Sequence, residues 1–351
     1  MKQQLFPALL LWIALTVILE ALAVKVDIYV VPKSDKGEEI DFAFRYLMYL
    51  AIPVFAMVIA VLLTSAVGGS AKFPEEDGPA HLGRGAAPMT WFVLTALLTV
   101  AIMIYPGLIT TPKVAGKAKD PDVRVKVEGV QWTWLINYPD AQVDGAREIV
   151  LPVDATVRFD ITSRDVLHSF WIPSFLMKID AVPGLTTTVS LKPTEEGSYQ
   201  NDPNMRVQCA ELCGLSHSRM TVPVRVVSQQ EFDEWVRSKQ TGPAANQTPT
   251  GPVQELTIIA KNITFDTDTL SVAAGSSVKL TIDNQDAAIP HNFALYASED
   301  AAKKSEEPLA ASKLENGPVK QTLVFNAPAA GTYFFRCDVH PTAMTGTFVV
   351  Q

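Results

Sequence analysis

Two sulfur-rich stretches of this chain contain residues that could bind a metal. The first places Cys209, Cys213, His217 and Met220 within residues 209–220. Thiolate, imidazole and thioether donors select copper over magnesium or calcium, which prefer oxygen ligands. A disulfide between the two cysteines, or a pair of buried thiols, is the simpler alternative, but it gives His217 and Met220 no role. The spacing therefore predicts a copper site in a loop.

The second stretch lies near the C-terminus and has a related composition. It contains Cys337, His340 and Met344, and His291 supplies another imidazole from an earlier strand. Two imidazoles, one thiolate and a weak axial thioether are the donors of a mononuclear blue-copper electron-transfer site. A related domain without metal is the alternative, and the presence of all four donors argues against it. The two sites use all three cysteines of the chain, which leaves no pair for a disulfide.

The first stretch resembles the dinuclear CuA loop, Cys-x-x-x-Cys-x-x-x-His-x-x-Met, of cytochrome c oxidase subunit II. The family's remaining histidine ligand follows Val-Leu and precedes Ser, as His168 does here. The resemblance extends over about residues 42–238. It implies that Cys209 and Cys213 bridge two copper ions. The full CuA set that it implies is His168, Cys209, the backbone oxygen of Glu211, Cys213, His217 and Met220.

The resemblance assigns two further roles near this loop. The side chain of Glu211 is similar to a family ligand for a magnesium ion shared with subunit I, and Mg²⁺ prefers carboxylate and water oxygens. Trp132 matches the family's tryptophan through which electrons reach CuA. For the neighbouring Trp134, a purely structural role as a core side chain on a strand explains the residue equally well. The second stretch resembles plastocyanin and its relatives over residues 253–351. No haem is expected in this chain.

Three apolar segments precede the metal-binding motifs, and each is long enough to cross a bilayer. They span about residues 6–24, 42–67 and 89–110, and a helix of roughly 20 apolar residues crosses the hydrocarbon core. The first segment follows Lys2 and ends with Ala21, Leu22 and Ala23, a pattern shared by cleaved signal peptides and retained helices. Whether this segment is cleaved or retained, we expect the chain after residue 110 to lie outside the membrane.

Alternating apolar and polar residues predict β-strands from Asp120 onward. Proline and glycine separate these short runs, as expected between strands. The predicted fold is mixed, with N-terminal transmembrane α-helices followed by two all-β Greek-key barrels of the cupredoxin type. The predicted domains are a membrane anchor at 1–118, a CuA domain at 119–238, a flexible linker at 239–252 and a blue-copper domain at 253–351.

The two resemblances imply the electron-accepting subunit II of a haem–copper terminal oxidase, a proton-translocating oxidoreductase. An external donor would reduce the fused blue-copper site, CuA would receive the electron, and subunit I would reduce oxygen. We expect a multi-pass protein of the bacterial cell membrane with both copper domains outside. Its expected partners are subunit I, other oxidase subunits, lipid, and cytochrome c, a soluble blue-copper protein or a quinol-oxidising complex as donor. A net charge of −8 without a basic run argues against nucleic acid.

Two other functions fit parts of the sequence. A CuA-containing nitric oxide reductase uses a related subunit to receive electrons, and the sequence does not separate the two enzymes. A membrane-anchored copper carrier belongs to a different functional class, but a carrier needs open, exchangeable sites, whereas these ligand sets are closed. Quinol-oxidase subunits of the same fold lack the copper ligands, which argues against that assignment.

Overall fold

A computed structural model of the chain describes residues 2–26, 30–67, 85–240, 248–287, 289–303 and 306–351. The central part of the predicted linker, residues 241–247, lies outside the described residues. Long apolar helices come first, and two β domains follow them. The helices are α1 (Lys2–Lys25), α2 (Asp35–Val67), α3 (Ala86–Ile102), α4 (Ile109–Ala115), α5 (Gln229–Gln240) and α6 (Glu299–Lys303).

Three apolar spans within the described ranges are long enough to cross a membrane: Phe6–Lys25, Asp35–Val67 and Pro88–Ala115. The third consists of α3, a π-helical segment at Met103–Leu108 and α4. Within it Tyr105 has extended backbone angles, because a residue that precedes proline is pushed out of the α region.

The helix α1 packs along α2, where Trp12 Nε1 donates a hydrogen bond to the Pro53 carbonyl at 2.7 Å. The helix α2 begins before the predicted position 42, at Asp35. Its first turn is polar and therefore gives no hydropathy signal, but Asp35 and Glu38 stabilise a helix N-terminus. The Asp35 carboxylate also accepts a hydrogen bond from the Lys192 amide at 2.7 Å, which ties α2 to the first β domain.

The first β domain contains two sheets that enclose a continuous apolar core. One sheet has the order β3-β2-β1-β5-β8, and the other has the order β4-β11-β10-β6-β7 with β9 paired to β11. The helix α5 follows and places Phe232 and Trp235 in the same core. The strands are β1 (Val123–Val130), β2 (Thr133–Tyr138), β3 (Val143–Ala146), β4 (Ile149–Pro152), β5 (Val157–Ser163), β6 (His168–Ile172), β7 (Met177–Ala181), β8 (Thr187–Leu191), β9 (Gly197–Ser198), β10 (Arg206–Cys209) and β11 (Thr221–Val227).

The second β domain repeats the two-sheet arrangement around its own core. Its sheets have the orders β13-β12-β15-β20 and β14-β22-β21-β17-β18, and β16 pairs with β19. The predicted fold class, apolar helices followed by two cupredoxin-type β domains, is confirmed. The strands are β12 (Val253–Lys261), β13 (Thr264–Phe265), β14 (Thr269–Val272), β15 (Ser277–Asn284), β16 (Pro290–His291), β17 (Ala294–Tyr296), β18 (Ala310–Ala311), β19 (Glu315–Asn316), β20 (Val319–Asn326), β21 (Gly331–Arg336) and β22 (Thr345–Val350).

Candidate metal centres

Strand pairing brings the predicted CuA ligands together at one end of the first β domain. The strands β6 and β10 are antiparallel, with Cys209 opposite Phe170, so the end of β10 lies beside His168 at the start of β6. The strand β11 begins directly after Met220, and the Cys209 amide donates to the Met220 carbonyl at 3.1 Å. The connecting residues 210–220 therefore form a loop that closes over the ligands.

The donor atoms of this set converge. The Sγ atoms of Cys209 and Cys213 are 3.7 Å apart, far more than the roughly 2.05 Å of a disulfide bond. The Nδ1 atom of His168 lies 3.9 Å from Cys209 Sγ, and that of His217 lies 3.5 Å from Cys213 Sγ. The Sδ atom of Met220 is 3.9 Å from Cys213 Sγ. Nitrogen and sulfur ligands of one tetrahedral ion stand about 3.5 Å apart, so the set fits metal binding.

Both cysteines are free and buried, so no disulfide occupies their sulfur atoms. Burial and the nearby Cys209 thiol raise the pKa of Cys213 to about 12. Cys213 is therefore protonated at neutral pH until a metal ion displaces the proton, as thiolate ligands require. His168 and Met220 are completely buried. The site is thus dry and closed on the barrel side.

A carboxylate orients the buried imidazole of His168. Asp165 Oδ1 lies 2.9 Å from His168 Nε2, and Asp165 Oδ2 accepts the Gln131 amide at 2.7 Å. Burial raises the pKa of Asp165, but hydrogen bonds from His168 and from the amides of Gln131 and Val166 outweigh it and lower the pKa overall. The ionised carboxylate fixes the ring with Nδ1 toward the thiols, which is the usual task of a group behind a metal-bound histidine.

Gly129 on β1 leaves the space that this ring occupies. A Cβ atom at position 129 would stand 2.7 Å from His168 Cδ2 and 3.1 Å from Cγ. Real Cβ atoms essentially never approach other atoms below 3.0 Å. Only glycine therefore fits there while His168 keeps its place. Sequence reasoning missed Gly129, because a glycine inside an alternating strand gives no indication of its cross-strand neighbour.

The other residues assigned by the resemblance also lie at this loop. Trp132 is half-buried, and its Nε1 donates to the Cys213 carbonyl at 3.1 Å. The Glu211 carbonyl oxygen is 3.1 Å from Cys209 Sγ, while the Glu211 side chain is exposed. The backbone and side chain of Glu211 can thus act separately. Trp134 is 3% exposed and lies edge-on to His168, at 5.8 Å between ring centroids, which makes it a core residue.

Strand pairing also brings together the predicted blue-copper ligands in the second β domain. The strands β21 and β22 pair with Arg336 opposite Thr345, and the Cys337 amide donates to the Met344 carbonyl at 2.9 Å. The strand β17 pairs with β21, which brings the preceding His291 toward Cys337. Three of the four donors, Cys337, His340 and Met344, therefore lie in the loop that joins the end of β21 to the start of β22.

These donors also fit a single metal ion. Cys337 Sγ lies 3.7 Å from His291 Nδ1 and 3.6 Å from His340 Nδ1, and the two nitrogens are 3.1 Å apart. Met344 is completely buried in a small cluster with Cys337. Burial raises the pKa of Cys337 to about 12. Burial and the neighbouring His291 ring lower the pKa of His340 to about 4, so this imidazole is neutral at pH 7, as ligation requires.

Asp286 repeats at this site the role of Asp165 at the first. Its Oδ2 lies 2.9 Å from His291 Nε2, and its carboxylate accepts the amides of Asn262 at 2.6 Å and Ile263 at 2.9 Å. The carboxylate is therefore held in place by its own domain. Sequence reasoning missed Asp286, although an acidic residue a few positions before the histidine was the available signal in both motifs.

Comparisons with known proteins distinguish the two β domains. Residues 141–227 match the family described as cytochrome c oxidase subunit II, periplasmic domain, and residues 235–350 match the cupredoxin-like domain. A probable cytochrome c oxidase subunit 2 of Rickettsia bellii (strain RML369-C) is 31% identical over 230 residues, covering 59% of this chain and 82% of that protein. The chain belongs to the cytochrome c oxidase subunit 2 family.

This membership confirms the predicted oxidase subunit and its enzyme class. As a subunit 2, the chain is part of a haem–copper oxidase, an oxidoreductase, and its partners include other oxidase subunits. Its N-terminal apolar helices associate it with the membrane, and its first β domain is of the periplasmic type. The two converged donor sets and the two matching families support copper as the metal.

Two solved structures each resemble one β domain of this subunit. The periplasmic domain of subunit II of cytochrome oxidase from Bradyrhizobium japonicum is 32% identical, with a TM-score of 0.32, and covers 35% of this chain and 96% of that one. Auracyanin A, a blue copper protein from Chloroflexus aurantiacus, is 29% identical, with a TM-score of 0.26, and covers 28% of this chain and 99% of that one.

Proposed function

We propose that this subunit receives electrons outside the membrane and passes them through two copper sites to subunit I, where oxygen is reduced. One observation carries the proposal. A single chain of the subunit 2 family holds two converged, largely buried sulfur–imidazole donor sets in two consecutive β domains. Copper in such sites exchanges one electron between its cuprous and cupric states without making or breaking bonds to a substrate.

The second β domain would hold a single type 1 copper. Its ligands would be His291, Cys337, His340 and Met344, the last as a weak axial donor. His291 is completely buried, whereas His340 is half-buried and is followed by the exposed Pro341. The His340 edge is therefore where an external donor can approach, while the rest of the site excludes water.

The first β domain would hold the dinuclear CuA centre. The Cys209 and Cys213 thiolates are close enough to bridge two ions, and the remaining ligands would be His168, His217, Met220 and the carbonyl oxygen of Glu211. Trp132 would conduct electrons into this centre. In support, its indole is partly exposed and is hydrogen-bonded directly to the carbonyl of Cys213.

The loop at Glu211 would face subunit I. Its side chain is exposed beside Leu212 and Leu215, which are 79% and 97% exposed, and exposed apolar side chains of this kind favour burial against a partner. There the Glu211 carboxylate would complete a magnesium site with ligands from subunit I. We further propose that α1 is retained as a third span, since it packs on α2, and that both β domains lie outside the bacterial cell membrane.

The relay is tested with Cys337→Ser, which removes the thiolate of the second site but keeps a side chain of similar size. We expect loss of the blue-copper absorption band, an unchanged CuA spectrum and a large loss of turnover with the natural donor. Small artificial reductants should still reduce CuA in this variant. Undiminished turnover with the natural donor would mean that CuA is fed directly and would overturn the relay.

A further inference from the structure

An ion pair joins the two β domains. The guanidinium of Arg147, between β3 and β4, approaches the carboxylate of Asp338 with Nη1 at 3.0 Å from Oδ1 and Nη2 at 2.5 Å from Oδ2. The two side chains are only 20% and 21% exposed. Arg147 also donates to the Tyr296 hydroxyl, and its guanidinium carbon lies 5.2 Å from the centre of that ring. Two parallel hydrogen bonds with a stacked aromatic ring make this a geometrically specific contact.

The acceptor is built into the second β domain beside its metal ligands. Asp338 directly follows Cys337, and Asn292 directly follows His291. Asn292 Nδ2 donates to the Asp338 carboxylate at 2.8 Å, and the Tyr296 hydroxyl donates to it at 2.6 Å. The carboxylate is therefore oriented by residues of its own domain, and it directly follows the proposed copper ligand Cys337.

Strand register places Arg147 at the CuA end of the first β domain. The antiparallel pair β2 and β3 has Ala146 opposite Ile136, so the chain that leaves β3 at Arg147 runs toward the start of β2, next to Trp132. The parallel pair β4 and β11 has Ile149 beside Val224, and the residues before Ile149 therefore run toward Met220. Both pairings locate Arg147 at the end that holds the CuA ligands.

We propose that Arg147 is a positioning residue that docks the blue-copper domain on the CuA end of its neighbour. This inference rests on the proposed relay. In the docked state one electron would pass from the reduced blue-copper site at Cys337 to the oxidised CuA site at Cys209 and Cys213, and no bond would form or break. The blue-copper site would thereby be oxidised and the CuA site reduced by one electron, and the external donor would then reduce the blue-copper site again.

The charges explain why a specific contact is needed. In each β domain Asp and Glu outnumber Lys and Arg, so the two domains have no general attraction, and a half-buried opposite pair fixes their orientation. A second contact, between Lys239 of α5 and Glu307, is more exposed, with the carboxylate side chain 50% accessible. Exposed pairs contribute little, so of these two ion pairs between described residues Arg147–Asp338 is the stronger anchor.

The test uses the copper-loaded full chain with Arg147→Glu, Arg147→Lys and, as a matched control, Arg158→Glu. Arg158 pairs with Asp160 on its own strand at 2.9 Å, so its reversal makes the same charge change without touching the interface. Pulsed electron paramagnetic resonance gives the distance distribution between the two oxidised sites. Rapid reduction of the blue site, followed by absorption, gives the rate of transfer to CuA.

We expect Arg147→Glu to broaden the distance distribution and to slow the transfer by about tenfold or more, which corresponds to about 1.4 kcal/mol. Arg147→Lys keeps the charge but loses the paired hydrogen bonds, so it should be intermediate. Arg158→Glu should match the wild type, and both absorption spectra should be unchanged in every variant. A distance distribution and a rate in Arg147→Glu that equal those of Arg158→Glu would overturn the inference.

The docking and the relay fail in different ways. If Cys337→Ser abolishes turnover while Arg147→Glu changes neither distance nor rate, the relay stands and the docking role of Arg147 is wrong. If Cys337→Ser leaves turnover intact while Arg147→Glu broadens the distances, the docked geometry stands and its proposed use in electron transfer is wrong.

Discussion

Gly129→Ala should damage the proposed CuA centre without changing any of its proposed ligands. The new Cβ would stand 2.7 Å from His168 Cδ2, whereas ordinary contact begins at 3.4 Å, so the ring or the strand must move by about 0.7 Å. His168 has little freedom, because it is completely buried and hydrogen-bonded to Asp165 at 2.9 Å. Overpacking of a dense core costs about 1–3 kcal/mol. A functional site tolerates displacements of only about 0.5 Å.

The assay is the visible and electron paramagnetic resonance spectrum of the copper-loaded chain, together with thermal unfolding. We expect Gly129→Ala to lose or strongly alter the CuA spectrum and to lower the unfolding temperature of the first β domain. The blue-copper band should stay unchanged, because its ligands belong to the other domain and its own core. The intact band serves as an internal control for expression and copper supply.

Gly197→Ala is the matched substitution in the same domain. Its Cβ would meet the flexible end of Lys33 at 3.3 Å and Met205 Cε at 3.9 Å, so it should leave both spectra as in the wild type. A Gly129→Ala protein with a wild-type CuA spectrum and stability would refute the reasoning, because it would show that the His168 ring has room that the structure does not give it.

Three further predictions concern a bridging cysteine, the carboxylate behind the blue-copper site and the location of the second β domain. Cys213→Ser should abolish the dinuclear spectrum and keep the blue-copper band, since this thiolate would serve both ions of the proposed CuA centre. Simultaneous loss of both spectra would indicate misfolding instead. Asp286→Asn should raise the reduction potential of the blue-copper site by about 40 mV. The charged hydrogen bond from His291 to Asp286 favours the cupric state, and its replacement by a neutral one loses about 1 kcal/mol of that preference. A redox titration that finds an unchanged or lower potential would contradict this. Protease added to right-side-out vesicles should release fragments of residues 253–351, and full protection would disprove the outer location.

The sequence by itself determined the metal chemistry and the class of fold. The side-chain types at Cys209, Cys213, His217 and Met220 already select copper, because ligand softness is a property of the residue and needs no coordinates. Hydropathy predicted the three apolar segments, since a bilayer imposes a length on any helix that crosses it. Period-two alternation predicted the strands, because neighbouring side chains of a strand face opposite sides.

Only the tertiary structure decided how these parts meet. The pairing of β6 with β10 brings His168 to Cys209, and the positions of Gly129 and Arg147 acquire meaning only from partners distant in sequence. Asp286 lies five residues before His291, and only the fold shows that the two side chains meet at 2.9 Å. Gly129 contacts a ring on another strand, and Arg147 pairs with a different domain. Such contacts depend on strand register and domain placement, which no local pattern of residues encodes.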